Sequence, residues 1–372
     1  MKRILVFGMT EYAGGVESFL MNYYRKMNGK RLRFDFLTNT LKKTAYEQEI
    51  LAAGSRIYHI PARSRSPFRY HKALTAFFRD HAKEYDGIWV NVCSLANIDY
   101  LILAKKYGIP GRIIHSHSTR NLDGVLRGLL HQYNRKRIRN CATDFWACSE
   151  SAAEWFYEEK VLPYAKIIPN AIDPEKLAYD EEKRNSVRRA YGLADSFVIG
   201  TIGRLSPEKN QIFLLDVLEY LLPDVPEAKL VLVGEGPEEI SLRKMISERG
   251  LGSDVILAGR QDDIHGWLSA FDVFVLPSSS EGLSLAGLEA QANGLPCLFS
   301  ADGIPENNAV NSNTAFLHTG DLTGWVYALK QLRNMPQCGR ISSDGIGERF
   351  AAENLDLGQE TDLLEEYLYD RL

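Results

Sequence analysis

The stretch Phe197-Val198-Ile199-Gly200-Thr201-Ile202-Gly203-Arg204-Leu205-Ser206-Pro207-Glu208-Lys209-Asn210 reads as a buried β-strand ending at a glycine, then a turn with proline that opens a helix near 208–222. Charged residues directly after such a strand suit the strand-to-helix loop of a parallel sheet, where ligands bind beyond the carboxyl ends of the strands. The pattern continues at Leu230–Val233, Val255–Leu257, Val273–Leu276 and Pro296–Phe299. It also fills the first half, with strands expected at Ile4–Phe7, Phe34–Leu37, Ile57–Ile60, Ile88–Val92, Arg112–His115 and Phe145–Ala147. Strands alternating with helices over 372 residues, 45% of them hydrophobic, predict an α/β chain of two Rossmann-like, doubly wound domains. The expected divisions are 1–172, a polar linker at 173–195 that begins with Asp-Pro, a second domain at 196–349, and a terminal helix at about 350–372 with one apolar side. With two such sheets facing each other, the natural active site is the interdomain cleft.

Composition narrows the function classes. The apolar run after Lys2-Arg3 is too short for a signal peptide and reads as the first strand, and no stretch approaches the roughly 20 apolar residues that cross a bilayer. Five scattered cysteines without a CxxC pair point to a reducing cytoplasm and no structural zinc. The net charge of −4 hides an asymmetry: residues 1–170 carry +12 and the remainder −16. The basic half is concentrated in Arg63, Arg65, Arg69 and Lys72 beside Phe68 and Tyr70, and in Arg135, Lys136, Arg137 and Arg139. Such clusters suit phosphates of an anionic membrane surface or a lipid diphosphate, or they form a solvated face balanced by the other half. No nucleic-acid recognition motif accompanies them, so nucleic acid is not an expected partner.

Three loops carry the chemistry. After the first strand, Gly14-Gly15-Val16-Glu17 opens a helix with bare backbone N–H groups that suit a phosphate; a tight turn that merely starts a helix is the plain alternative, and the GxGxxG spacing of a dinucleotide site is absent. Gly203-Arg204 to Lys209 sets a guanidinium and an ammonium in one loop, able to neutralise a departing diphosphate in place of a divalent cation, or to be merely solvated. Pro277-Ser278-Ser279-Ser280-Glu281-Gly282-Leu283-Ser284 to Glu289 places two carboxylates with seven residues between them around a helix start. Glu281 can accept hydrogen bonds from sugar hydroxyls, the N–H groups of Gly282, Leu283 and Ser284 can face a diphosphate, and Glu289 can bind paired ribose hydroxyls. Among small apolar residues, Glu289 is expected to be partly buried.

These motifs, in this order, resemble glycosyltransferase family four, the retaining GT-B enzymes that include many polysaccharide and glycolipid assembly transferases. The EX7E pattern of that family stands at Glu281 to Glu289, its phosphate clamp at Gly203-Arg204 to Lys209, and its GG(x)E loop at Gly14-Gly15-Val16-Glu17. The resemblance spans nearly the whole chain. It implies a donor held mainly by the second domain, an acceptor held mainly by the first, no required metal or cofactor, and a last helix returning to the first domain. It further implies a histidine near the donor sugar at Ile113-Ile114-His115-Ser116-His117, where strand alignment favours His117 over His115. Asn170 matches the Asn-Gly hinge motif with alanine at 171, and Gly259-Arg260-Gln261-Asp262 falls in the nucleobase loop.

The function expected from this resemblance is transfer of a hexose-type sugar, with retention, from a nucleotide diphosphate sugar to a glycan or lipid-linked saccharide, with UDP favoured as the nucleotide. It would serve cell-surface polysaccharide assembly, in the cytoplasm or peripherally on the inner face of the cytoplasmic membrane. His117, Arg204, Lys209 and Glu281 would act in catalysis. The acceptor hydroxyl would attack the face from which the nucleotide leaves, and the diphosphate would take its proton. A nucleotide-sugar epimerase on the same fold would release a free sugar intermediate; a non-catalytic nucleotide-sugar-binding partner subunit would bind donor without turnover.

Overall fold

The computed structural model describes residues 1–119 and 124–372. It divides into two compact units, one of Met1–Ala171 with Leu357–Leu372, the other of Ile172–Asp356.

In the first unit the strands are β1 Lys2–Phe7, β2 Leu32–Thr38, β3 Ile57–His59, β4 Gly87–Val92, β5 Gly111–Ser116, β6 Asp144–Ala147 and β7 Ala165–Ile167. All pair in parallel in the order β3-β2-β1-β4-β5-β6-β7. The central strands are buried along most of their length, as suits a parallel sheet covered on both faces, and Trp89 and Trp146 are fully buried.

The second unit repeats the plan with β8 Phe197–Ile202, β9 Ala228–Val233, β10 Val255–Gly259, β11 Val273–Leu276, β12 Cys297–Ser300 and β13 Thr314–Leu317, ordered β10-β9-β8-β11-β12-β13. Every residue of β8 is buried, and Gly200 at its middle makes room for the Phe271 ring, which a Cβ would meet at 2.2 Å. The chain winds outward from β8 through β9 and β10, then restarts on the other side of β8 with β11. The loops after β8 and β11 therefore emerge side by side at the point where the winding reverses, which is the ligand position of doubly wound sheets.

Three expectations change. Strands β7 and β13 are sheet edges of three and four residues, only partly buried, and too short and irregular to carry a periodic signal. The expected linker at 173–195 is folded into the second unit: helix Glu181–Tyr191 is capped by the Asp180 carboxylate and by Gly192 at φ 68°, and packs on helix Ile264–Ala270. Its charges made it look solvated, yet Arg184 and Arg188 each meet the buried Asp272 at 2.6 Å. Removing one partner of such a buried pair would cost about 3–5 kcal/mol. The terminal stretch is likewise two helices: Ile346–Ala352 lies in the second unit, and Leu357–Arg371 lies in the first. The latter buries Leu357, Leu364 and Leu368, and its Tyr367 hydroxyl and Arg371 Nε both reach Asp144 Oδ1 at 3.0 Å.

Candidate active site

In the second unit, Arg204 and Lys209 lie on the loop after β8, and Glu281 on the loop after β11. Their strands are neighbours, so residues 72 apart in sequence meet, with Lys209 Nζ at 2.5 Å from Glu281 Oε1. Further bonds tie the loops together. Ser279 N–H donates to the Glu208 carbonyl at 2.9 Å, Ser279 Oγ donates to the same carbonyl, and Asn210 Nδ2 donates to the Pro277 carbonyl. The Arg204 guanidinium, on the same loop as Lys209, is exposed and has no hydrogen-bond or ion-pair partner among the described residues. An unpaired arginine fork of this kind matches two phosphate oxygens at once.

The helix Leu285–Ala292 starts just beyond Glu281. Its Ser284 cap accepts the Gly287 N–H at 3.2 Å. The Ser284 N–H, expected to face a diphosphate, is instead donated to Asn308 Oδ1 at 2.8 Å. Tertiary contact corrects the assignment: the open N–H groups of this helix start belong to its first turn, Leu285 and Ala286, which have no intrahelical acceptor. Glu289 is half-buried on the same helix, and its carboxylate makes no hydrogen bond or ion pair among the described residues. Loss of hydration disfavours its charged form and raises its pKa to about 7. Arg260 lies exposed on the loop after β10, and among the described residues nothing joins it to Arg204, Lys209 or Glu281.

The first unit holds the other expected residues. Gly14 caps helix Gly15–Met27, and a side chain at the exposed Gly15 would meet nothing within 4 Å, so the backbone there is open to approach. Glu17 is buried and turned inward; its carboxylate accepts from Thr10 N, Thr10 Oγ1 and Gly14 N, and thus shapes the glycine loop. His115 and His117 project from the end of β5 on one face with ring centroids 4.1 Å apart, and Phe19 of the same helix meets both edge-on at 5.0 and 4.9 Å. His115 is fully buried, with Nδ1 accepting the Trp89 indole N–H at 3.4 Å. His117 is partly exposed, and its Nε2 lies 2.9 Å from Asn91 Oδ1. Because the Asn91 amide donates to the Phe7 and Trp89 carbonyls, its oxygen must accept, so His117 carries its proton on Nε2 and presents the lone pair of Nδ1. Burial depresses the His117 pKa to about 3, and that of His115 well below its usual value, so both rings are neutral near pH 7. Asn170 immediately precedes the end of this unit's first segment. Neither it nor Ala171 has positive φ, so this turn does not require the glycine of the hinge motif.

Comparison with known proteins follows this geometry. The family model Glycosyl transferases group 1 matches residues 183–332, and Glycosyltransferase Family 4 matches residues 13–176. EpsF of Bacillus subtilis, named as a glycosyltransferase, is 34% identical over 303 residues, covering 79% of this chain and 77% of that protein. The chain belongs to glycosyltransferase family four. The UDP-Gal:alpha-D-GlcNAc-diphosphoundecaprenol alpha-1,3-galactosyltransferase of Escherichia coli is similar at 29% identity over 287 residues, 74% of each chain. HepE of Anabaena, solved in complex with UDP-glucose, matches with a TM-score of 0.79 over 100% of both chains at 18% identity. The fold is therefore GT-B.

Sequence reasoning missed several residues that hold these loops in place. Gly234 and Gly236, after β9, lie under the Arg204 loop so closely that added Cβ atoms would sit 2.0 Å from the Gly203 carbonyl and 2.1 Å from that of Leu205. The Gly-Glu-Gly-Pro run at a strand end was a visible signal for such an approach. Gly303 presses on Ser278 and Ser279 in the same way, and its carbonyl accepts the Glu281 N–H at 2.7 Å. Asn308, buried, also donates to the Gly282 carbonyl at 2.9 Å and to that of Pro305 at 3.1 Å. Nothing local in the sequence marks Asn308 or Asn91, because their partners come from other loops. The basic clusters also divide. Tyr70 is core, Arg63 reaches the Ala96 carbonyl and Asp99, and Arg135 donates to the Glu154 and Tyr157 carbonyls. No helix among the described residues is long and apolar enough to cross a membrane.

Proposed function

We propose that this glycosyltransferase moves a hexose from a UDP-sugar, with retention at the anomeric carbon, to a hydroxyl of a glycan or lipid-linked saccharide in cell-surface polysaccharide assembly. The observation that carries the reading is the meeting of Lys209 and Glu281 at the reversal point of the second sheet, on loops that also carry Arg204, whose exposed guanidinium has no partner among the described residues. Arg204 and Lys209 neutralise the charge growing on the departing diphosphate, with the first-turn N–H groups of Leu285 and Ala286 and the Gly282-Leu283 backbone as further donors. Glu281 accepts hydroxyls of the sugar and Glu289 those of the ribose. Gly14 and Gly15 leave space for the donor, His117 offers Nδ1 to substrate, and Arg260 and Gly203 flank the nucleotide.

No side chain here is needed as a covalent nucleophile. The acceptor hydroxyl forms its bond to the anomeric carbon as the bond to the diphosphate oxygen breaks, and its proton passes to that diphosphate. Two fixed cations make the reaction metal-independent in this proposal. UDP as the nucleotide is supported by the name of the E. coli relative and by the UDP-glucose complex of HepE. A lipid diphosphate acceptor is supported by the same E. coli name.

The test combines turnover with product stereochemistry. Arg204→Ala and Lys209→Ala should each lower kcat by about 10²–10³-fold while the circular dichroism of the fold persists. The wild-type product should keep the donor's anomeric configuration by proton NMR, and EDTA should not change the rate. Near-normal turnover in both variants, or an inverted product, would overturn the proposal.

A further inference from the structure

Arg204 combines a fixed backbone with an open side chain. On one side its neighbours are bonded to the loop after β9: Gly203 N–H donates to the Val233 carbonyl at 2.9 Å, Leu205 N–H donates to the Glu235 carbonyl at 3.0 Å, and the Leu205 carbonyl accepts the Glu238 N–H at 3.0 Å. The carbonyl of Arg204 itself is held by a side chain. Gln211 Nε2 donates to it at 2.9 Å, while the Ser206 hydroxyl approaches it only to 3.5 Å. The guanidinium beyond this fixed peptide has no partner among the described residues.

Gln211 is the first residue of helix Gln211–Leu221 and is 3% exposed. A carbonyl can only accept, so the amide must turn its nitrogen toward Arg204. Its oxygen, Oε1, is then left buried with no hydrogen-bond partner among the described residues. A buried acceptor without a donor costs at least as much stability as the single bond of the nitrogen returns, so this glutamine does little for the fold. What its bond does is local. It spans seven residues and closes the loop into a ring that contains both cations, Arg204 and Lys209. Lys209 is separately tied to Glu281, and Asn210 Nδ2 donates to the Pro277 carbonyl, so the helix start is anchored to the loop after β11. Through Gln211 the peptide of Arg204 is referred to the same anchor. A cation on a peptide fixed in this way meets a ligand with less ordering left to do.

We infer that Gln211 is a positioning residue: by holding the Arg204 carbonyl it sets the direction from which the guanidinium meets a nucleotide diphosphate, without touching the ligand itself. The inference rests on the reading of Arg204 as a diphosphate ligand and goes beyond it by naming the side chain that aims the cation.

The test is a double-mutant cycle on the full chain, with UDP-glucose affinity read by isothermal titration calorimetry in wild type, Gln211→Met, Arg204→Ala and the double variant. Methionine keeps the length, volume and helix propensity of glutamine and removes both the donor and the orphaned oxygen, so the melting temperature should stay within about 4 °C of wild type. Gln211→Met should weaken UDP-glucose binding about five- to tenfold when Arg204 is present and by less than about twofold when residue 204 is alanine. A side chain that merely supports the fold would lower affinity by the same factor in both backgrounds, and that result overturns the inference. So does wild-type affinity in Gln211→Met, and so does a larger fall in melting temperature, which would assign Gln211 to the stability of the second unit. If wild type does not bind UDP-glucose, or Arg204→Ala binds it as wild type does, the donor reading falls and this inference with it. A weakened Arg204→Ala together with an additive Gln211→Met refutes the inference alone.

Discussion

Donor affinity should depend on pH through Glu289. Burial raises its carboxyl to about 7, and no cation pairs with it among the described residues. If ribose hydroxyls donate to this group, only the ionised form binds well, and the apparent Kd is the intrinsic value divided by the ionised fraction. For a pKa near 7 that fraction is about 0.1 at pH 6, about 0.5 at pH 7 and about 0.9 at pH 8. The Kd for UDP-glucose should therefore weaken about tenfold between pH 8 and pH 6. UDP-glucose is the suitable probe because its diphosphate has no ionisation near neutrality, whereas the terminal phosphate of UDP does. Isothermal titration calorimetry at three pH values reads the slope directly. Glu289→Gln should bind more weakly at pH 8, by about ten- to a hundredfold for a lost charge-assisted pair of hydrogen bonds, and its Kd should be flat with pH. A flat wild-type profile, or an unchanged slope in Glu289→Gln, would refute the assignment of Glu289 to the ribose. The sign extends to stability: the folded chain holds a proton that the unfolded chain releases above about pH 4.3, so this group destabilises the free enzyme as pH rises toward 7.

The remaining predictions concern support of the site. Asn308→Ala should leave the Ser284 N–H and Gly282 carbonyl without their partner, costing about 1–3 kcal/mol of stability in urea unfolding. The variant should stay folded and bind UDP-glucose more weakly as the Glu281 loop loosens; wild-type affinity would show that Asn308 does not position that loop. Acid should destabilise the first unit through His115 and His117, whose folded pKa values lie below the unfolded value of about 6.5. Stability is then complete above that value and falls below it by about 1.4 kcal/mol per pH unit for each ring. His117→Gln should remove one ring's share of the slope between pH 6 and pH 5, and an unchanged slope would contradict the neutral assignment.

The sequence by itself determined the class of fold and the loops that follow its central strands. Buried parallel strands are apolar on both faces, so Phe197–Ile202 and Val273–Leu276 announce themselves, and the residues just after them are the ligand positions of any doubly wound sheet. The places of Arg204, Lys209 and Glu281 on those loops were legible for that reason. What only the tertiary structure decided is where polar groups find partners. Asp272 turns an apparent linker into part of the second unit, Asn308 takes the N–H of Ser284, and Asn91 fixes which nitrogen of His117 is open. Helix Val125–Arg135 belongs to the same class: the bonds of His131 and Asn134 to Leu95 turn its polar side inward and leave Val125, Leu126, Leu129 and Tyr133 exposed. Hydrophobic periodicity reports that a face exists, whereas hydrogen bonds between distant segments decide which way it points.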